Sequence, residues 1–279
     1  MPLLSMTAVT ARDLSARYDD RLALDSSTFE IPARSLVAVI GPNGSGKSTL
    51  LDLIAGLTPP ASGTIEVLSS EPSAARDRIA YVLQATSISR TLPISVKEVV
   101  TMGRYASIGM GRRLGRNDRA AVDRALEQVE LSDVAGASFH ELSGGQRQRV
   151  LVAQGLAQDH DLLLLDEPLI GVDLGSSASI EASLSEDVSL GKTVIVTTHD
   201  LGQAMAADWV VLLAGMVLAH GSPSDVLTEE NLARAYGLRV VRSGDRFVVD
   251  DPAHQGTDEL HVHLDRSIHL EPPGTDLHR

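Results

Sequence analysis

GPNGSGKST, residues 41–49, follows directly on the apolar run SLVAVI at 35–40. Three glycines and a lysine stand within nine positions at the end of a strand-like segment, where packing would ask for side chains. The spacing Gly41, four residues, Gly46-Lys47-Ser48 is the P-loop pattern. Glycines let the backbone curl until several N–H groups converge on phosphate oxygens. The helix expected in KSTLLDLIAGL turns its positive N-terminal end to the same anion. On this reading Gly41, Pro42, Asn43, Gly44, Ser45, Gly46, Lys47, Ser48 and Thr49 form the cradle for a nucleoside triphosphate. Lys47 reaches the β- and γ-phosphates, and the Ser48 hydroxyl coordinates Mg²⁺. A plain glycine-rich turn needs one or two glycines and no lysine at a fixed offset.

Working outward, LLLLDEP at 162–168 is an apolar strand ending in two carboxylates. That places Asp166 and Glu167 at the carboxyl end of a strand, where open α/β sheets bind ligands. Asp166 is expected to hold Mg²⁺, directly or through water, and Glu167 to polarise the attacking water as general base. An Asp-Glu pair after a strand is often only a solvated turn, and the phosphate loop upstream decides against that here. In ELSGGQRQR at 141–149, Ser143 can cap the following helix while Gly144 and Gly145 expose backbone N–H groups, making a second anion site. Taken alone, Ser143 reads as an ordinary N-cap.

LSGGQ, with GPNGSGKST and LLLLDEP around it, resembles the nucleotide-binding subunit of an ABC transporter, over residues about 8 to about 238. The resemblance implies an α/β fold. Its P-loop NTPase (RecA-like) core carries an N-terminal antiparallel β subdomain and an inserted α-helical subdomain, at about 93–158 of a 1–238 ATPase domain. It implies hydrolysis of ATP to ADP and phosphate with Mg²⁺, and a head-to-tail homodimer. There Ser143, Gly144, Gly145 and Gln146 of one copy clamp the ATP held by the P-loop of the other. Tyr18, in ARYDDR, resembles the aromatic residue that stacks on adenine. Gln84, in AYVLQ, matches the glutamine that senses Mg²⁺ and the γ-phosphate. Asp173, in LIGVD, corresponds to the aspartate of the loop crossing the dimer interface. His199, in VTTHD, matches the histidine that contacts the γ-phosphate and orients Glu167 and water. Separate membrane permease subunits are implied, docking on the helical subdomain and the Gln84 loop, with an extracytoplasmic solute-binding protein as an indirect partner. The expected place is the cytoplasmic face of the membrane.

Composition agrees. At 279 residues and 43% hydrophobic content the chain can bury a sizeable core. A formal net charge of −13 argues against a broad nucleic-acid surface. The absence of cysteine excludes disulfides and thiolate metal sites and suits a reducing compartment. MPLLSMTAVTARDLS has no basic region followed by a long apolar stretch, so no secretion signal is expected. The longest apolar run, WVVLLAGMVLA from Trp209, breaks at Ala214-Gly215 and reads as a hairpin of two buried strands. In NDRAAVDRALEQVEL the residues Ala121, Val122, Ala125, Leu126 and Val129 form one helical stripe, with Asn117 as its cap.

Cargo is carried by softer features. LPISVKEVVTMGRYASIG and EPLIGVD resemble the ATPases of bacterial zinc and manganese importers, and importers of iron-siderophore and cobalamin share the Met-Gly-Arg-Tyr type of segment. From 239 the chain reads as a hairpin, RVVRSGDRFVVD, and then a His-rich tail. Five of the nine histidines lie in the last 26 residues, beside acids. LHVHL would set His261 and His263 on one face of a strand, an arrangement that suits Zn²⁺; a solvated tail that binds nothing is the other reading.

Overall fold

A computed structural model of the chain describes residues 7–19, 21–83, 93–108, 113–237, 239–243 and 246–250. Strands β1 (Thr7–Tyr18) and β2 (Arg21–Pro32) open the chain, followed by β3 (Leu36–Ile40), α1 (Lys47–Ile54) and β4 (Ser62–Val67). Then come α2 (Pro72–Ala75), β5 (Ile79–Val82), α3 (Val96–Ile108), α4 (Arg116–Gln128) and α5 (Gly144–Leu156). The second half holds β6 (Leu162–Leu165), α6 (Leu174–Ser189), β7 (Thr193–Thr198), α7 (Leu201–Ala206), β8 (Trp209–Leu213) and β9 (Val217–Gly221). It closes with α8 (Pro223–Val226), α9 (Glu229–Tyr236), β10 (Arg239–Ser243) and β11 (Arg246–Asp250).

The larger sheet has the order β5-β6-β7-β3-β8-β9. Its first five strands run parallel and β9 returns antiparallel to β8. Parallel strands need a covering layer on both faces, which explains why their sequences are largely continuous apolar runs rather than alternating ones. On one face Val37, Val39, Leu162, Leu164, Ile195 and Val211 share a core with α1 and the antiparallel sheet β2-β1-β4. On the other, Val82, Leu163, Leu165 and Val194 pack with residues of α3, α4, α5 and α6, and Ala38, Ile40, Val210 and Leu212 pack with α7, α8 and α9. Each fully buried Leu, Val or Ile contributes roughly 1.5–3 kcal/mol of transfer free energy, so this double burial fixes the sheet. Its rigid carboxyl edge carries the site.

The run from Trp209 does form a hairpin, Val210 pairing with Gly221 and Leu212 with Ala219. Only β8 lies within the core, buried from Val210 to Leu213; β9 is the edge strand and is half-exposed for most of its length. The stripe of α4 is observed, with Val122, Ala125, Leu126 and Val129 buried. Its expected cap is not. Asn117 lies inside the helix, and Gly115 occupies the N-cap position. The reason is Asp118, whose Oδ2 accepts the Gly115 N–H at 2.7 Å while its Oδ1 takes two bonds from Arg104 of α3, at 3.1 and 2.8 Å. Arg104 also donates to Ala157 O and to Asp159 Oδ2, both at 2.9 Å, so one buried guanidinium ties α3 and α4 to the segment leading into β6. Strands β10 and β11 pair antiparallel, Val241 opposite Val248.

Candidate nucleotide site

Strands β3, β6 and β7 end toward the same edge of the sheet, β6 two residues earlier than the other two. Ile40 is in register with Thr198 and Leu165 with Val196, so Gly41, Asp166 and His199 each begin the loop that leaves the sheet at the same edge. This convergence is a property of parallel pairing, in which every strand delivers its following loop to the same side.

After β3 the chain turns on Gly41, where an added Cβ would collide with the carbonyl oxygen of Leu213 in β8. Gly44 and Gly46 hold φ of 76° and 102°, which disfavour any residue with a side chain. The first intrahelical bond of α1 runs from Leu50 N–H to Gly46 O at 2.8 Å. The N–H groups of Lys47, Ser48 and Thr49 therefore precede it and have no acceptor within the helix. Lys47 Nζ donates to Gly41 O at 2.9 Å and Pro42 O at 3.2 Å and stands 3.9 Å from a Glu167 oxygen. Its side chain is 6% exposed, and burial pushes its pKa down against the opposing pull of Glu167 and Asp166.

On the other side Asp166 is anchored by its N–H to Val82 O at 3.0 Å. Its Oδ1 accepts from Thr197 Oγ1 at 2.6 Å, and Thr197 Oγ1 in turn accepts the Glu167 N–H at 2.8 Å. Glu167 has φ of 50°, a left-handed conformation that costs a non-glycine residue roughly 1–3 kcal/mol and persists only when neighbours enforce it. Thr197 supplies that enforcement. No motif in the sequence marks it, although it stands two residues before His199 in the same VTTHD segment.

Between these elements lies a cleft of about 680 Å³ lined by Asn43, Gly44, Gly46, Lys47, Ser48, Thr49 and Glu167, and on its far side by Tyr18, Asp19, Arg21, Leu22 and Ala23. Tyr18 is 44% exposed there. His199 is solvent-exposed at the sheet edge. Gln84, two residues past β5, and His261 and His263 lie outside the described residues. Ser143, Gly144, Gly145 and Gln146 do not line the cleft. They begin α5 with a reciprocal cap, Gln146 N–H to Ser143 Oγ at 3.2 Å and Ser143 N–H to Gln146 Oε1 at 2.9 Å. Ser143 and Gly144 are exposed, but Gly145 is buried: an added Cβ would stand 2.5 Å from Asp173 Oδ2 and 2.8 Å from Ser176 Oγ. Close packing against Asp173 and Ser176 accounts for the absence of a side chain at the second glycine. Asp173 caps α6, accepting from Ser176 N–H at 3.0 Å and Ser176 Oγ at 2.8 Å, and these bonds hold its carboxyl below the usual range.

These features suit a polyanion with a bound cation. The Ser45 hydroxyl is buried with no hydrogen-bond partner among the described residues, and the glycine cradle leaves no room for a Cβ at Gly41. Ser48 in the cleft lining, and the buried Asp166 next to the lining residue Glu167, carry hard oxygens of the kind Mg²⁺ prefers. The fold and the cleft define a P-loop nucleoside triphosphatase.

Comparison with known proteins narrows the class. Residues 24–170 match the ABC transporter family. The manganese transport system ATP-binding protein MntB of Bacillus subtilis (strain 168) is 38% identical over 246 residues, 88% of this chain and 98% of that protein. The zinc transport system ATP-binding protein TroB of Treponema pallidum (strain Nichols) is 41% identical over 235 residues, 84% of this chain and 88% of that protein. Among solved structures, a metal-chelate type ABC transporter in an inward-facing conformation superposes with a TM-score of 0.77 at 31% identity, covering 88% of this chain and 98% of that one. The chain belongs to the ABC transporter family and is an ATP-binding, ATP-hydrolysing subunit that works with membrane permease partners and Mg²⁺. Among the described residues no helix is long and apolar enough to cross a membrane.

Proposed function

We propose that this subunit powers the import of a divalent metal ion, zinc or manganese, through a separate permease, from the cytoplasmic face of the membrane. The observation that carries the chemistry is the meeting of Lys47, Glu167 and the Asp166–Thr197 pair at one edge of the sheet. The cargo reading draws on the manganese and zinc transport relatives.

The loop N–H groups and Lys47 bind the phosphates, and the Tyr18 ring stacks on the base. Ser48, Asp166 and Gln84 would hold Mg²⁺, which would supply neutralisation of charge on the phosphoryl group. His199 orients water against the γ-phosphorus, and the Glu167 carboxylate takes the proton that this water gives up. A P–O bond forms to the water oxygen while the bond to the oxygen bridging the β- and γ-phosphorus atoms breaks, leaving ADP and phosphate. Ser143 to Gln146 of a second copy close over the same nucleotide, and the exposed stretch around Ile170 and Leu174, beside Asp173, supplies apolar contact between copies. Loss of the γ-phosphate removes what bridges the two subunits, which is how hydrolysis reopens them. The helical segment at about 93–158 receives the permease, a solute-binding protein delivers the ion outside, and His261 and His263 of the tail meet the arriving zinc.

Proteoliposomes holding the complex with its permease test this: ATP-driven uptake of zinc or manganese is expected. Uptake of a metal chelate alone would transfer the protein to the second reading, which the metal-chelate type relative favours. Calorimetry of the full chain with Zn²⁺, with and without His261→Ala and His263→Ala, tests the tail.

A further inference from the structure

Two phenols from different strands, one at the nucleotide cleft and one behind it, converge on one carboxylate. Tyr18, at the end of β1, donates to Asp52 Oδ2 at 3.1 Å, and Tyr81, on β5, donates to Asp52 Oδ1 at 3.3 Å. Asp52 stands on α1, the helix that the phosphate loop opens, five positions after Lys47. Each carboxylate oxygen thus serves one tyrosine. Neither Asp52 nor Tyr81 lines the cleft, whereas Tyr18 does.

From this convergence we propose that Asp52 is a positioning residue for the nucleotide base: it fixes the Tyr18 ring at the mouth of the cleft and is itself braced by Tyr81. The inference rests on the assignment of the base to Tyr18 made above. A tyrosine 44% exposed at a strand end would otherwise sample several rotamers, and each would have to be given up on binding. With its hydroxyl bonded to a helix that the phosphate loop itself begins, the ring is held in a fixed relation to the phosphates. The spacing between base and phosphate contacts is thereby built into α1. Tyr81 keeps the carboxylate turned toward Tyr18, and its own phenol remains a donor, because burial, the charge of Asp52 and that of Asp166 all push its pKa up. The strand bearing Tyr81 pairs with β6, Val82 opposite Leu165, so the brace is as rigid as the sheet.

The test is steady-state ATP hydrolysis by the full chain, with inorganic tripolyphosphate as competitor. Losing one positioning hydrogen bond should raise KM for ATP about three- to tenfold in both Asp52→Ala and Tyr18→Phe, with kcat within about twofold. Because the two act through one bond, the double variant should be no worse than the poorer single one. Asp52→Asn can accept from one phenol and donate to the other, and should restore KM to within about twofold of the parent. Tripolyphosphate, which has no base, should inhibit all forms with the same Ki. Unchanged KM in Tyr18→Phe, a fall in kcat at constant KM in Asp52→Ala, or additive effects in the double variant would overturn the proposal. Failure of tripolyphosphate to compete in the parent protein would instead overturn the reading of the phosphate loop. If Asp52→Ala does not fold, Tyr18→Phe and Asp52→Asn decide alone.

Discussion

The Thr197 hydroxyl donates to Asp166 Oδ1 at 2.6 Å while accepting the backbone N–H of Glu167 at 2.8 Å. One side chain therefore aims the expected magnesium ligand and holds the expected base in its left-handed backbone conformation. Thr197→Val keeps the volume and the β-branch but deprives both neighbours of a partner, a loss worth about 1–3 kcal/mol. We expect kcat to fall about ten- to a hundredfold with KM for ATP nearly constant, and urea unfolding to show a similar loss of stability. Thr197→Ser should retain activity. Phosphate release at saturating Mg-ATP measures the first effect, and a valine variant with full kcat would dissociate Thr197 from the chemistry.

Lys47 and Glu167, 3.9 Å apart, should separate cleanly by kinetics. Glu167→Gln preserves shape and hydrogen-bonding but cannot take a proton, so turnover should drop at least about a hundredfold. ATP stays bound, and the paired form should accumulate on size-exclusion chromatography. Lys47→Ala removes the cation beneath the phosphates and should instead weaken binding of a fluorescent ATP analogue, with no trapped dimer. Undiminished hydrolysis in Glu167→Gln would remove Glu167 from the base role.

Much of this site could be read in the sequence because its parts are local. The glycine spacing at 41–46, the carboxylates ending LLLL and the Ser143–Gln146 cap are each contained within a few consecutive residues, and parallel pairing then brings the first two together without further information. What escaped the sequence depends on partners distant in the chain. Asp118 displaced Asn117 as the organiser of the α4 terminus because Arg104, fourteen positions earlier, holds it in place. Thr197 and Asp52 likewise gain their roles from residues 31 and 29 positions away, and no periodicity announces such contacts.

Gly145 tests the contact between the α5 and α6 termini. Gly145→Ala would push a methyl group into Asp173 and Ser176, and overpacking of this kind costs about 1–3 kcal/mol. Since residues 143–146 do not line the cleft of their own subunit, ATP affinity of the isolated chain should stay within about twofold. If hydrolysis needs this terminus seated on a second copy, as proposed above, it should fall at least tenfold, by the order of a lost transition-state contact. Equal losses of affinity and turnover would show that the substitution had damaged the cleft itself. Gly144→Ala, where an added Cβ meets nothing within 4 Å, should leave stability near that of the parent.

A buried ionic cluster at the ends where β6 and β7 begin, away from Gly41 and Asp166, makes stability depend on pH. His160 Nδ1 lies 2.7 Å from Gln158 O, an atom that only accepts, so that nitrogen carries hydrogen. Its Nε2 is 2.6 Å from Asp187 Oδ2, and Lys192 Nζ is 3.0 Å from Asp187 Oδ1. Burial alone would raise the Asp187 pKa, but the bond and charge of His160 and then of Lys192 outweigh it and hold the carboxyl below its ordinary value of 3.8. A depressed carboxylate contributes stability that is fully present above its unfolded pKa and is lost as pH falls through the folded one. Asp187→Asn should therefore cost about 3 kcal/mol near neutrality, as breaking a buried pair does. Below the ordinary carboxylate range the parent should lose this advantage, and the gap in Tm between the two proteins should close. Thermal unfolding of both from about pH 7 down to about pH 3 reads the gap directly; one that stays constant across that range would mean that Asp187 acts by packing and not by its charge.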